Sequence, residues 1–100
     1  MSVKLLVSEQ AEQDMIELAH WYENQQVGLG NRFIDELENT FKIIQNTPQI
    51  YVVVYRDVRR GLLRKFPVMV LYLIDNHTIQ VIAIMHASRN PLRWQARVDL

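Results

Sequence analysis

Two runs hold most of the side chains able to do chemistry. The first is Tyr55 to Pro67, which carries Arg56, Arg59, Arg60, Arg64 and Lys65. A guanidinium offers planar, two-pronged recognition of phosphate or carboxylate, which an ammonium does not. The second is Met85 to Trp94, with His86, Ser88, Arg89 and Arg93. An imidazole at the end of a strand titrates near neutral pH and can move protons. Arg89 and Arg93 beside it can stabilise phosphorane-like charge. Together these are the parts of a phosphate-handling surface. The plainer reading is a charged edge strand that discourages aggregation and a histidine that ties down a tail.

Other chemistries lack their residues. There is no cysteine, hence no disulfide framework, thiolate zinc site or cysteine nucleophile. His20, His77 and His86 are scattered, with no pair four residues apart, so no metal site is expected. No glycine-rich phosphate loop and no nucleophile elbow occurs, and no cofactor is implied.

The net charge is zero, yet it is divided. Residues 1–50 carry Lys4, Arg32 and Lys42 against eight acidic residues, and residues 51–100 carry eight cations against Asp57, Asp75 and Asp99. Seven of those eight cations are arginine. A basic half points to nucleic acid or an acidic protein partner. No run approaches the roughly 18 apolar residues of a membrane span, and the start is too short in apolar length for a signal peptide. A soluble cytoplasmic protein, folded as one domain over residues 1–100, is expected.

The elements that must position these side chains follow from period. Val3 to Val7 is a strand candidate. Ser8 can cap a helix over Glu9 to Gln25, whose stripe is Ala11, Met15, Leu18, Ala19 and Tyr22. Gly28 and Gly30 break the pattern, and Phe33, Ile34, Leu37, Phe41 and Ile44 form a second stripe ending before Thr47-Pro48. Two such helices make an antiparallel hairpin.

After Pro48 the period changes. Tyr51 to Tyr55 is β-prone, as a ladder strand or a buried connection. Val58 to Phe66 reads as a strand placing Arg60, Leu62 and Arg64 on one face and Arg59, Gly61, Leu63 and Lys65 on the other, unless Gly61 marks a bulge. Val68 to Asp75 is a strand, Asp75-Asn76-His77 a turn, Thr78 to Met85 the last strand, and Pro91 to Trp94 a short turn or helix. The fold class is therefore α+β: an N-terminal helical hairpin packed on a small antiparallel sheet. In Val68 to Ile74 both faces are apolar, so the second face is covered by the first strand and the C-terminal tail, or by a partner, with homodimerisation one way to do so.

The combination of strand, helical hairpin, Val58-Arg59-Arg60-Gly61-Leu62-Leu63-Arg64-Lys65-Phe66-Pro67-Val68, Tyr72 and Val81 through Trp94 resembles the RelE/ParE toxin superfamily, and its ParE-like members in particular. The Phe66-Pro67 step and the spacing of His86, Arg89, Pro91 and Trp94 carry the specific part of it. The resemblance spans nearly the whole chain. It implies a toxin of a type II toxin–antitoxin system and a cognate antitoxin whose C-terminal segment wraps it.

ParE-like members poison DNA gyrase and leave broken DNA, without nuclease chemistry of their own. RelE-like members cut mRNA in the ribosomal A site without metal. If this chain were such an RNase, its basic set would be Arg60, Arg64, His86 and Arg89. RelE-like nucleases commonly place an arginine in the strand that here is Val68 to Asp75, which has no Arg or Lys. The expectation is accordingly a gyrase inhibitor with no intrinsic catalysis. The alternatives are the ribosome-dependent RNase, or an inactive homologue that only binds antitoxin. The expected binding surface is Arg59, Arg60, Arg64 and Lys65 together with Arg89, Arg93 and Trp94.

Overall fold

The computed structural model describes residues 3–99. Strand β1 (Lys4–Val7) leads into helices α1 (Glu9–Gln25) and α2 (Leu29–Asn46). Strands β2 (Val53–Tyr55), β3 (Val58–Leu62), β4 (Val68–Asp75) and β5 (Thr78–His86) follow, and helix α3 (Leu92–Val98) closes the chain. The strands form one sheet in the order β1-β5-β4-β3-β2.

The sheet is mixed rather than antiparallel throughout. β1 pairs with β5 in parallel, and the other three pairings are antiparallel. The hairpins impose antiparallel pairing on their own strands, but β1 is joined to the sheet only through the two helices, which return the chain to the opposite edge. No local residue pattern records that choice.

Ser8 accepts the Ala11 N–H at 3.1 Å and so starts α1. The turn between the helices is built by Glu23, whose carboxylate accepts the Gly28 N–H at 2.9 Å and the Gly30 N–H at 3.0 Å. Gly28 has φ +88°, a conformation that suits glycine. A Cβ at Gly30 would lie 2.7 Å from the Ala19 carbonyl oxygen, so the helices cross closely there.

β4 lies at the centre, buried on both faces. Val68, Val70 and Tyr72 pack with Ile79, Val81 and Ile84 beneath Phe33, Leu37 and Ile44 of α2. Met69 and Leu71 pack with Val58, Ala83 and Trp94 on the other side. Among the described residues α3 is the helix that packs on this second face, where Leu73, Ile82 and Met85 stay half-buried, while β1 extends the sheet edge instead of covering that face.

Three other expectations change in detail. β3 ends at Leu62, so Arg64 and Lys65 stand in a loop and share no strand face with Arg60. Gly61 pairs in regular register with Val70, and its bare Cα makes room for the Tyr51 ring, whose atoms would lie 3.1 Å from a Cβ. The irregularities lie elsewhere: in β2 the register against β3 shifts between Val53 and Tyr55, and in β5 Leu71 pairs with Ala83 and Tyr72 with Val81, leaving Ile82 as the extra residue of a bulge.

Candidate functional site

β5 outlasts its neighbour. β1 stops at Val7, opposite Val81, and the chain turns away with the Ser8 N–H on the Val81 carbonyl. The backbone groups of β5 beyond that point need other partners. Asp14 of α1 accepts the Ile84 N–H at 3.0 Å, and Arg97 of α3 donates to the Ile82 carbonyl at 3.0 Å. The two side chains also bind each other, Nη1 to Oδ2 at 2.6 Å and Nη2 to Oδ1 at 3.0 Å.

Above this clamp lies a groove of about 930 Å³ between α1, the end of β5 and α3. α1 contributes Gln13, Glu17 and Trp21, and the other wall contributes His86, Arg89, Asn90 and Arg93. Trp21 is exposed and sets an open aromatic face at the groove, edge-on to Tyr22. Among the described residues Arg89 and Arg93 make no ion pair, while Arg97 is held by Asp14. The groove therefore offers two uncommitted guanidinium groups, an imidazole and an aromatic ring.

His86 is fixed by its own turn. The Ser88 N–H lies 3.2 Å from Nδ1 and donates to it, and the Ser88 hydroxyl lies 2.7 Å away. With Nδ1 accepting, the ring proton of the neutral imidazole sits on Nε2. The Ala87 N–H donates to the Pro67 carbonyl at 2.8 Å, which holds this turn against the loop after β3. Asn90 Oδ1 then accepts the Leu92 N–H at 3.0 Å and starts α3 just after Pro91.

The structure does not bring the basic residues together. Arg60 is exposed on β3 and shares the parity of Val58, which packs toward α3, whereas His86 shares the parity of Ile84, on the face of the α1–α2 hairpin. Arg64 lines a separate cavity of about 360 Å³ with Glu36, Lys42 and Tyr51. Its backbone N–H donates to Glu36 Oε1 at 3.3 Å. Lys65 is exposed in the same loop. Only His86 and Arg89 of the four RNase candidates share a cavity.

Two of the expected binding residues are structural. The Arg59 guanidinium donates to the Tyr51 carbonyl at 2.7 Å and the Gln49 carbonyl at 3.3 Å, which holds the connection from α2 to β2 in place. Trp94 is buried, 5.8 Å from the Tyr55 ring centroid in an edge-to-face arrangement. It reaches a binding surface only through the position it gives α3. Its Nε1 is buried without a partner among the described residues.

The α1 side of the groove was not legible in sequence. Asp14, Glu17 and Trp21 read as an ordinary acidic helix surface, and Asp14 lies 83 residues from Arg97. The sequence does carry a faint signal: Asp14 falls one residue before Met15 of the apolar stripe, at its border.

Burial raises the hydroxyl pKa of Tyr22 and of Tyr72. At Tyr72 the Arg59 charge pulls the other way, and the phenol donates to the Pro48 carbonyl at 2.7 Å. No group of three or more metal-ligating side chains occurs among the described residues, and no helix among them is long and apolar enough to cross a membrane.

A family model described as the ParE toxin of the type II toxin–antitoxin system parDE matches residues 5–91. Among solved structures, the chain is similar to one from a chromosomal ParDE system of P. aeruginosa, with TM-score 0.73 and 16% identity over 85% of this chain and 96% of that one. It is similar to a mutant of the E. coli toxin RelE in the free state, with TM-score 0.70 and 15% identity over 100% and 99%. It is also similar to a chain of the toxin–antitoxin complex RelBE2 from Mycobacterium tuberculosis, with TM-score 0.63 and 15% identity over 86% and 99%. At such identities the likeness is one of fold. No curated protein matches the chain by sequence.

Proposed function

Since the chain belongs to the ParE toxin family of type II toxin–antitoxin systems, we propose that it inhibits DNA gyrase by trapping the enzyme's DNA cleavage complex, and that a cognate antitoxin neutralises it. The observation that carries the choice of gyrase over RNA cleavage is the separation of the basic residues. Cutting RNA at the 2′-hydroxyl asks for a base, an acid and a charge stabiliser around one phosphate. Arg60 projects from one sheet face, Arg64 lines one cavity, and His86 with Arg89 lines another. β4, between them, supplies no cation. Protein recognition needs no such convergence, and dispersed arginines suit it.

The groove of His86, Arg89, Arg93 and Trp21 suits an acidic, amphipathic segment: two guanidinium groups for carboxylates and an aromatic ring for an apolar side chain. We assign it to the antitoxin. Two of the solved relatives come from a ParDE system and a RelBE2 toxin–antitoxin complex, which supports a partner of this kind. The gyrase surface is then the Arg59 to Lys65 stretch, joined by the Arg89 to Arg97 tail once antitoxin has left. With gyrase as the target, the site of action is the cytoplasm.

The deciding experiment combines the purified chain, gyrase, ATP and relaxed plasmid. Loss of supercoiling with accumulation of linear DNA is the expected result. No effect from a large excess of folded chain overturns the reading and turns attention to ribosome-dependent RNA cleavage through His86.

A further inference from the structure

Recognition of gyrase or antitoxin leaves one polar group of the groove unused, the Ser88 hydroxyl. Ser88 is exposed, lines the groove, and places its Oγ 2.7 Å from His86 Nδ1. The backbone settles which way the proton points. The Ser88 N–H can only donate, and it donates to the same Nδ1 at 3.2 Å. Nδ1 of the neutral ring therefore carries no proton, and the Ser88 O–H donates to it across the shorter contact. A hydroxyl bonded to an unprotonated ring nitrogen is a nucleophile beside its base. Holding the turn asks only for the Ser88 N–H, which any small residue would supply, so the hydroxyl is surplus to that role.

The pair is also held in place. The Arg89 N–H donates to the His86 carbonyl at 3.0 Å and closes the turn, and the Ala87 N–H fastens it to the Pro67 carbonyl at 2.8 Å. The groove around it favours anions. Arg97 is matched by Asp14, while among the described residues Arg89 and Arg93 make no ion pair and Glu17 is the one carboxylate left over. Two free guanidinium groups suit phosphoryl oxygens and the charge that builds on them during transfer.

We propose that Ser88 is a phosphoryl acceptor, with His86 as its general base and with Arg89 and Arg93 holding the incoming oxygens. The donor class is an acyl phosphate. Its carboxylate leaves without needing a proton, so one base suffices, and the turn supplies one. The Ser88 Oγ bonds to phosphorus as the bond from phosphorus to the acyl oxygen breaks. The carboxylate departs with the bonding pair, and the hydroxyl proton passes to Nδ1 and then to solvent. The product is the chain phosphorylated at Ser88.

The test treats the full chain with acetyl phosphate and, separately, with diisopropyl fluorophosphate, a neutral electrophile that reports the nucleophile without the guanidinium groups. Intact mass and peptide mapping read the result. One added group from each reagent, on Ser88, is expected. Ser88→Ala is expected to take neither. His86→Gln keeps an acceptor for the Ser88 N–H but takes no proton, and it is expected to react with both at least about 100-fold more slowly. Arg89→Gln with Arg93→Gln is expected to slow acetyl phosphate alone. A folded wild type that gains no group from acetyl phosphate overturns the proposal. So does a label on another residue, a His86→Gln chain that reacts at the wild-type rate, or an arginine double variant that does so with acetyl phosphate. Should His86→Gln unfold, His86→Asn replaces it under the same criterion. Labelling is read without gyrase or antitoxin, so a negative result bears on Ser88 and leaves gyrase inhibition untouched.

Discussion

Arg97 of α3 and Asp14 of α1 form a two-pronged ion pair, at 2.6 and 3.0 Å, that joins the last helix to the first across the end of β5. Both side chains are largely buried, and each also binds a β5 backbone group. Removing one partner leaves a buried charge and an unpaired backbone group, a loss of about 3 kcal/mol or more. Asp14→Ala and Arg97→Ala are each expected to lower stability by that amount in urea unfolding. The double variant is expected to cost clearly less than the two added together. Exchanging the pair, as Asp14→Arg with Arg97→Asp, is not expected to rescue, because the Ile84 N–H then faces a donor and the Ile82 carbonyl an acceptor. Full rescue by exchange would show that charge alone, without the backbone bonds, holds α3.

The helical hairpin gives a second, graded prediction. Gly30→Ala sets a Cβ 2.7 Å from the Ala19 carbonyl oxygen, which is backbone and cannot swing aside. It is expected to cost about 2 kcal/mol. Gly28→Ala meets no atom within 4 Å, but adopts φ +88°, at about 1 kcal/mol. Gly28→Asn is expected to cost less than Gly28→Ala, since asparagine tolerates that region. Thermal unfolding of the three variants ranks them, and a Gly30→Ala chain as stable as the wild type would sink the close-crossing argument.

Much of this fold was legible in the residues because local period sets it. The stripes ending at Tyr22 and Ile44 gave both helices, and the β-branched run from Val68 gave β4 with its two faces correctly divided. Asn76 gave the β4–β5 turn, and it has φ 56°. What local period does not hold is pairing at a distance. The parallel β1–β5 contact, the β5 bulge at Ile82 and the Asp14–Arg97 clamp all join residues far apart in the chain. Arg59 reads like any surface arginine until Tyr51 and Gln49 are folded beside it. The His86 to Trp94 spacing pointed to the right end of the sheet, while the α1 wall of the groove had no marker beyond the place of Asp14 at the border of the apolar stripe.

Tyr72 is expected to contribute to the loss of stability at alkaline pH. Burial raises its pKa in the folded chain, so the folded state holds the proton more tightly than the unfolded state. Its stabilisation is complete below the ordinary tyrosine value of about 10 and is lost as pH rises through the folded-state value. Tyr22 acts in the same direction. Tyr72→Phe is expected to cost about 1 kcal/mol at neutral pH by leaving the Pro48 carbonyl without its donor. It should also flatten the fall in stability above pH 10. Unfolding curves at neutral and alkaline pH check both parts, and an alkaline fall as steep as in the wild type would assign the effect elsewhere.

The arginines of the Arg59 to Lys65 stretch differ in what they hold, and toxicity should divide along that line. Arg60 is exposed, and Arg64 touches the fold through its backbone N–H, which a change of side chain preserves. Arg60→Glu with Arg64→Glu is expected to leave the thermal midpoint within a few degrees while abolishing gyrase inhibition and growth arrest. Arg59→Ala removes the donor to the Tyr51 and Gln49 carbonyls, so it is expected to lower stability by about 1–2 kcal/mol. Any loss of toxicity in Arg59→Ala should then follow its loss of folded chain and disappear in assays matched for folded protein. Midpoints, supercoiling inhibition and growth measured on the same two variants separate the roles. A folded Arg60→Glu, Arg64→Glu chain that still inhibits gyrase would remove this stretch from the gyrase surface and leave the Arg89 to Arg97 tail as the remaining candidate.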